Sequence, residues 1–149
     1  RNQRIWGLKV SAIYPDEGIY HGNHSNNATK GSLVEEIRKD TRKDTSRMLR
    51  AGGEKVYYLR TEDSDLLDSF NHFRELVPED VAVICESNSL GTFLRPGLLL
   101  LVVGQNGPVK ERAQRLKPLA DLEIISDGTS GFAELTRIGF ADGGWVLKG

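Results

Sequence analysis

The stretch from Val81 to Gly97 reads VAVICESNSLGTFLRPG and carries the clearest indication of the fold. Its first five residues are apolar, and Glu86 follows them directly. A short, continuous apolar run is typical of a strand that is covered on both faces, as in a parallel sheet. Glu is rarely buried without a partner. The stretch therefore predicts a buried strand that ends in a polar site.

Strand-like and helix-like segments alternate around this stretch. Further strands are predicted at residues 5–13, 55–60, 98–103 and 122–126, and helices at residues 32–40, 44–53, 63–76 and 107–120. Alternation at this spacing predicts an α/β fold, a three-layer domain with a mostly parallel sheet and helices on both faces. The region around Trp145 predicts one more strand, at an edge.

The composition favours one domain, which we expect to span residues 1–149. The chain has 20 Lys and Arg against 21 Asp and Glu, a net charge of −1. This balance argues against a general binder of nucleic acid or of membrane surfaces, because both need an excess of cations. No apolar run approaches the length of a membrane span, about 18 residues. The single cysteine, Cys85, indicates a reducing compartment, so a cytoplasmic location is expected.

Carboxylates follow several of the predicted strands, and ligands of open parallel sheets bind at the carboxyl ends of the strands. Asp16 and Glu17 follow the first strand, Glu86 follows the apolar stretch, and Asp127 follows the last core strand. A carboxylate placed like Glu86 can hold Mg²⁺ beside a nucleotide phosphate or orient an attacking water. Alternatively, Glu86 caps the following turn or pairs with Arg95.

Three other groups of residues permit a chemical interpretation. His21 and His24, close to Glu17, have a spacing that can bind a transition metal, although solvated loop histidines are the simpler interpretation. The basic segment that contains Lys43 and Arg47 could hold an anion or form a solvated helix face. Cys85 ends an apolar run, and we expect a small core residue there rather than a nucleophile.

Three segments together resemble the P-loop GTPase family of the molybdopterin-guanine dinucleotide biosynthesis adaptor protein. They read LKVSAIYPDEG, KDTSRMLRAGGEKVYYLR and VAVICESNSL, and the resemblance covers roughly residues 8–103. The matching residues are Lys9, Lys43, Asp44, Thr45, Arg47, Ala51, Gly52, Gly53 and Glu86. The Lys-Asp-Thr…Ala-Gly segment is the most specific part, and the rest is general among P-loop α/β folds.

The resemblance implies a protein that binds GTP or ATP with Mg²⁺, has slow triphosphatase turnover at most, and acts as an adaptor or regulator in molybdenum-cofactor biosynthesis. It implies that Glu86 faces the metal or the water, with Asp16 and Glu17 near Mg²⁺ or the γ-phosphate. Lys9 would bind the nucleotide. Asp127 lies outside the resembling residues, and its position after the last core strand alone makes it the candidate acceptor for N–H groups of a guanine. The residues implied to contact the nucleotide or a second substrate are Lys43, Asp44 and Arg47.

The chain departs from that family in three respects. The family's His-rich tract directly after the lysine is absent, since VSAIYPDEG follows Lys9 and the histidines come only later. The chain contains no G-x-x-x-x-G-K-[ST] phosphate loop, so we expect this motif upstream of Arg1 and a domain that is incomplete at its N-terminus. Binding of a magnesium nucleotide is expected only if the full protein has that loop; the alternative is a non-catalytic interaction module on the same scaffold. The family's Glu-Gly step is Glu-Ser-Asn-Ser in this chain, and Ser87, Asn88 and Ser89 remain unassigned. The expected partners are a nucleotide and either another protein or a second copy.

Overall fold

The computed structural model describes residues 2–13 and 31–149. The chain divides into two compact units, the first ending at Leu90 and the second beginning at Gly91. The assignment of residues 1–149 to one domain stays a prediction. Within the described residues, no helix is long and apolar enough to cross a membrane.

The first unit is built on a mixed four-stranded sheet. Its strands are β1 (Arg4–Ala12), β2 (Ser32–Glu35), β3 (Lys55–Thr61) and β4 (Val81–Glu86), in the order β2-β3-β1-β4. β1 pairs in parallel with both β3 and β4, whereas β2 runs antiparallel to β3. The centre of the sheet is apolar, with Trp6, Leu8 and Val10 of β1 all buried. The carboxyl ends of β1, β3 and β4 therefore lie at one rim.

Two helices pack against this sheet: α1 (Asp44–Arg50) and α2 (Leu66–Leu76), the latter preceded by a 3₁₀ turn at Asp63–Asp65. A Cβ atom on Gly7 would lie 3.0 Å from the Met48 sulfur, so the glycine lets α1 approach β1 closely. On the other side of β3, the ring of Phe73 in α2 lies 5.7 Å from that of Tyr57. These contacts fix α1 near the end of β1 that carries Lys9.

The second unit contains a parallel pair of strands, β5 (Leu100–Gly104) and β6 (Leu122–Ser126). The short helix α3 (Glu111–Leu116) and a 3₁₀ turn (Lys117–Leu119) lie between them in sequence. An antiparallel hairpin follows, made of β7 (Ile138–Ala141) and β8 (Gly144–Leu147). Asp142 and Gly143 form its turn with φ values of 53° and 77°, the left-handed geometry of two-residue hairpins.

The mixed α/β class is confirmed, and each of the five predicted core strands coincides with an observed strand. The strands of the described residues form three sheets, of four, two and two strands. The three-layer, P-loop-like arrangement stays a prediction. The expected edge strand around Trp145 is β8, which pairs with β7.

Two local predictions are wrong. Residues 32–40 are not a helix. They begin with β2, whose four residues pair with β3, and the apolar Ile37 that follows is 83% exposed. The stretch VAVIC is not fully buried either, since β4 is the last strand of the described sheet and Ile84 is 47% exposed. Neither sheet pairing nor strand order can be read from local apolar patterns.

Candidate functional site

Lys9, Glu86 and Asp44 form an ionic cluster at the carboxyl rim of the first unit. The register of the parallel strands places Lys9 of β1 opposite Glu86, the last residue of β4. The Lys9 ammonium donates hydrogen bonds to Glu86 Oε1 at 2.5 Å and to Asp44 Oδ2 at 3.3 Å. Asp44 is the first residue of α1, so the cluster joins three elements. One cation is thus shared by two carboxylates.

The surroundings of Lys9 keep it protonated. Partial burial of the side chain, which is 23% exposed, lowers its pKa. The hydrogen bond and charge of Glu86, followed by those of Asp44, outweigh the burial, so the pKa of Lys9 is raised above its ordinary value. The Lys9 ammonium therefore stays positively charged between the two carboxylates at neutral pH.

A cleft of ≈ 590 Å³ adjoins the cluster in the first unit. Lys9, Lys43, Asp44 and Thr45 line it together with Tyr58, whose aromatic ring comes from β3. Charged groups of both signs and an aromatic side chain therefore face one cavity. Such a combination can bind an anion and position an attached apolar group.

Glu36 and Thr45 form a second polar contact in the wall of this cleft. The Thr45 hydroxyl donates to Glu36 Oε2 at 2.7 Å, and the Arg38 backbone N–H donates to Glu36 Oε1 at 2.9 Å. The hydrogen bond from the Arg38 N–H and, to a smaller extent, the one from Thr45 lower the pKa of Glu36.

Sequence reasoning assigned no role to Glu36 or Tyr58. Glu36 lies in residues 32–40, which were predicted to be a helix. Tyr58 lies in a predicted strand, and nothing else in the sequence around it indicates a binding role.

Five of the predicted site residues come together in this part of the first unit. Lys9, Asp44 and Glu86 form the cluster, and Lys43 lines the adjoining cleft. Arg47 is more peripheral: its guanidinium lies 3.6 Å from Asp44 Oδ1, and its side chain is 69% exposed.

Asp127 lies in the second unit, just after β6, and its carboxylate is used by its own loop. Oδ1 accepts hydrogen bonds from the backbone N–H groups of Thr129 at 2.8 Å and Ser130 at 2.7 Å. Oδ2 accepts a hydrogen bond from the Ser130 hydroxyl at 2.5 Å. The Ser130 bonds, with those of Thr129, hold the pKa of Asp127 well below its ordinary value. A guanine would have to compete with these donors.

The remaining metal predictions fall on Asp16, Glu17, His21 and His24, which lie outside the described residues. In the part of the chain that is described, no three His, Cys, Asp or Glu side chains are grouped so that they could hold a metal ion.

The residues around Glu86 have local roles that explain part of the opening stretch. The Ser87 hydroxyl accepts hydrogen bonds from the backbone N–H groups of Ser89 at 3.1 Å and Leu90 at 3.0 Å. It thereby caps the 3₁₀ turn at Leu90–Thr92. Arg95, considered above as a partner of Glu86, pairs with Asp121 at 3.2 Å.

Cys85 was expected to be a small core residue, and this prediction is wrong. The residue as a whole is exposed near the end of β4. Desolvation of the thiol, together with the neighbouring Glu86 charge, raises its pKa to about 12. A thiol with this pKa is mostly protonated at neutral pH, and the protonated form is a poor nucleophile.

Comparison with protein families, curated proteins and solved structures finds no match for this chain. A function therefore has to be inferred from the geometry of Lys9, Asp44, Glu86 and the adjoining cleft.

Proposed function

We propose that the cleft beside Lys9, Asp44 and Glu86 binds the phosphates of a nucleoside triphosphate together with Mg²⁺. The observation that carries this proposal is the sharing of one ammonium by two carboxylates at the carboxyl end of parallel strands. Ligands of parallel α/β sheets are bound at this end. The proposal includes a P-loop-type domain, GTP or ATP as the nucleotide, and an adaptor or regulatory role in molybdenum-cofactor biosynthesis.

The donor chemistry of the cluster suits magnesium. Mg²⁺ prefers carboxylate oxygens, and nucleotide sites commonly supply one or two carboxylates and leave the other positions to water and phosphate. Glu86 and Asp44 already contact one cation, the Lys9 ammonium, so both carboxylates lie beside the same positive charge. Bound Mg²⁺ would neutralise negative charge on the phosphates. Glu86 and Asp44 are the residues that would hold it.

The cations of the cleft suit the phosphates themselves. Lys9 and Lys43 both line the cavity, and each could donate hydrogen bonds to phosphate oxygens. When the carboxylates hold a metal, the Lys9 ammonium would turn to the phosphate, which replaces one set of anionic partners with another. Because Lys9 has a raised pKa, it carries its charge throughout the physiological range.

Glu86 has a second role in the proposal, as the group that accepts a hydrogen bond from the attacking water. Its side chain is 51% exposed, so water reaches it. Arg47, at the edge of the site, is ion-paired with Asp44 and its side chain is 69% exposed. We therefore expect slow turnover unless a partner completes the site.

The test is nucleotide titration of the full native protein. Calorimetry with GTP and with ATP should give saturable binding that requires Mg²⁺. Glu86→Gln removes a charged ligand but keeps the shape of the side chain. We expect this variant to bind the magnesium nucleotide about 10-fold more weakly or worse, the effect of losing one charge-assisted contact.

Glu54→Gln is the matched control, because Glu54 is also an ion-paired carboxylate of the first unit. It pairs with Arg4 at 2.6 Å, and it lies just before β3, at the amino end of the sheet. We expect it to leave nucleotide binding unchanged. The proposal fails if a full chain with a phosphate loop binds neither nucleotide, or if both substitutions weaken binding equally.

A further inference from the structure

The segment from Glu36 to Lys43, here called the basic loop, connects β2 to α1 and carries an unusual surface. Ile37 is 83% exposed, more than any other large apolar residue of the described chain. Four cations, Arg38, Lys39, Arg42 and Lys43, follow it within six residues. The chain as a whole has a net charge of −1, so this concentration of positive charge is local.

The loop is held in place although its surface faces solvent. The Glu36 backbone N–H donates to Val56 O at 2.8 Å, which anchors the start of the loop to β3. The hydroxyls of Thr41 and Ser46 lie 2.5 Å apart, and the Arg50 guanidinium donates to Thr41 O at 2.7 Å. Both Ser46 and Arg50 belong to α1. The helix and the sheet thus fix the backbone of the loop.

Lys43 lines the cleft of the first unit, and the other three cations of the loop differ in their partners. Arg38 is neutralised by Asp40, which its guanidinium contacts at 2.9 Å. Lys39 and Arg42 are exposed, and within the described residues neither side chain has a hydrogen bond or an ion pair. A fixed backbone that presents an exposed isoleucine beside two available cations is preorganised for binding, because little entropy is lost when a partner docks.

We propose that the basic loop is a docking surface for an acidic segment of another protein that also offers apolar side chains. The loop supplies the complementary features: positive charge from Lys39 and Arg42 to attract the segment, and Ile37 to bury against it. Nucleic acid fits less well, since the loop has no aromatic side chain on which bases could stack. A membrane surface also fits less well, because Glu36 and Asp40 interrupt the cations and only one apolar side chain is available. This proposal does not depend on nucleotide binding.

The test uses a synthetic peptide of glutamates with interspersed leucines and follows its fluorescence anisotropy with the full native protein. We expect saturable binding at low ionic strength that weakens as salt is added. The double variant Lys39→Gln/Arg42→Gln should lose about 10-fold or more in affinity. Ile37→Ser should lose several-fold, and a peptide with serine in place of leucine should show the same loss.

Two variants of the second unit serve as matched controls. Lys110→Gln/Lys148→Gln removes the same charge, and Leu119→Ser removes another exposed apolar side chain, which is 42% exposed. Both should bind the peptide like the natural protein. The proposal is overturned if the peptide does not bind, or if the loop and control variants bind equally. It is also overturned if an oligonucleotide or vesicles containing phosphatidylglycerol bind the loop more tightly than the peptide.

Discussion

Glu36 shows how one carboxylate connects a loop to a helix. It accepts hydrogen bonds from the Arg38 backbone N–H and from the Thr45 hydroxyl, and these bonds lower its pKa below the ordinary 4.5. A carboxyl group with a depressed pKa in the folded state stabilises the fold above its unfolded pKa. This contribution is lost as the pH falls through the lower, folded pKa.

Glu36→Gln should therefore lower the free energy of unfolding at pH 7, and the difference from the natural protein should shrink as the pH falls below the ordinary pKa of 4.5. Urea denaturation over a series of pH values measures this. Glu79→Gln, at an exposed position before β4, is the control and should have little effect at any pH. A difference for Glu36→Gln that is the same at acidic and neutral pH would contradict the interpretation.

At the same scale, sequence reasoning identified Glu86 but not its partner. The sequence analysis proposed that Glu86 holds a metal, orients a water, caps a turn or pairs with Arg95. In the structure, Glu86 pairs with Lys9. That pair follows from the parallel register of β1 and β4, which brings together residues 77 positions apart in sequence. Register depends on the packing of the whole sheet, so local patterns do not contain it.

Among the elements, the β7–β8 hairpin depends on a turn that few residues can adopt. Gly143 has a φ of 77°, and a Cβ atom at this position would contact nothing within 4 Å. Gly143→Ala should therefore destabilise the fold through backbone strain alone, by about 1–2 kcal/mol. Urea denaturation measures the loss.

Gly144→Ala is the matched control for the turn. It is the next residue, also has open space for a Cβ atom, and lies in β8 without a left-handed φ. The free energy of unfolding should change by less than about 0.5 kcal/mol. If the two substitutions cost the same, the backbone geometry of Gly143 does not limit stability.

The helices and strands were more predictable than the site, and the failure at β2 has a physical cause. α1 and α2 have apolar residues at helical spacing or clear terminal signals, and both appear where expected. Residues 32–40 also place Leu33 and Ile37 four apart, as a helix would. The hydrogen bonds that β2 gains from β3 override that pattern.

At the scale of the whole molecule, the first unit has a cation with two carboxylates at each end of its central strand. Lys9 forms the cluster at the carboxyl end of β1. At the amino end, the Arg4 guanidinium pairs with Glu54 at 2.6 Å and with Asp80 at 2.9 Å. Glu54 and Asp80 directly precede β3 and β4, so Arg4 ties together the starts of three strands.

Arg4→Gln should lower the thermal midpoint of unfolding, because both carboxylates lose their partner. The pair is solvent-exposed, so the loss should become smaller in about 1 M salt, where exposed charges are screened. Differential scanning fluorimetry at low and high salt tests this. Arg74→Gln, on the exposed surface of α2, should have little effect. A loss that does not depend on salt would indicate a packing role for the Arg4 side chain instead.

The division at Leu90 was not foreseen from the sequence. The apolar patterns of β5 and β6 resemble those of the first unit, so all five core strands were assigned to one sheet, whereas the described strands form three. Patterns indicate that a strand is present but not which strand it pairs with, because pairing depends on contacts distant in sequence.

The raised pKa of Cys85 has a practical consequence for chemical labelling. The chain has no other cysteine, and at neutral pH this thiol is almost entirely protonated, so it reacts slowly with maleimides and similar reagents. A cysteine introduced at an exposed position such as Ile37 would have a far more reactive thiol. Near neutral pH, the raised pKa of Cys85 therefore favours labelling of the introduced cysteine over the natural one.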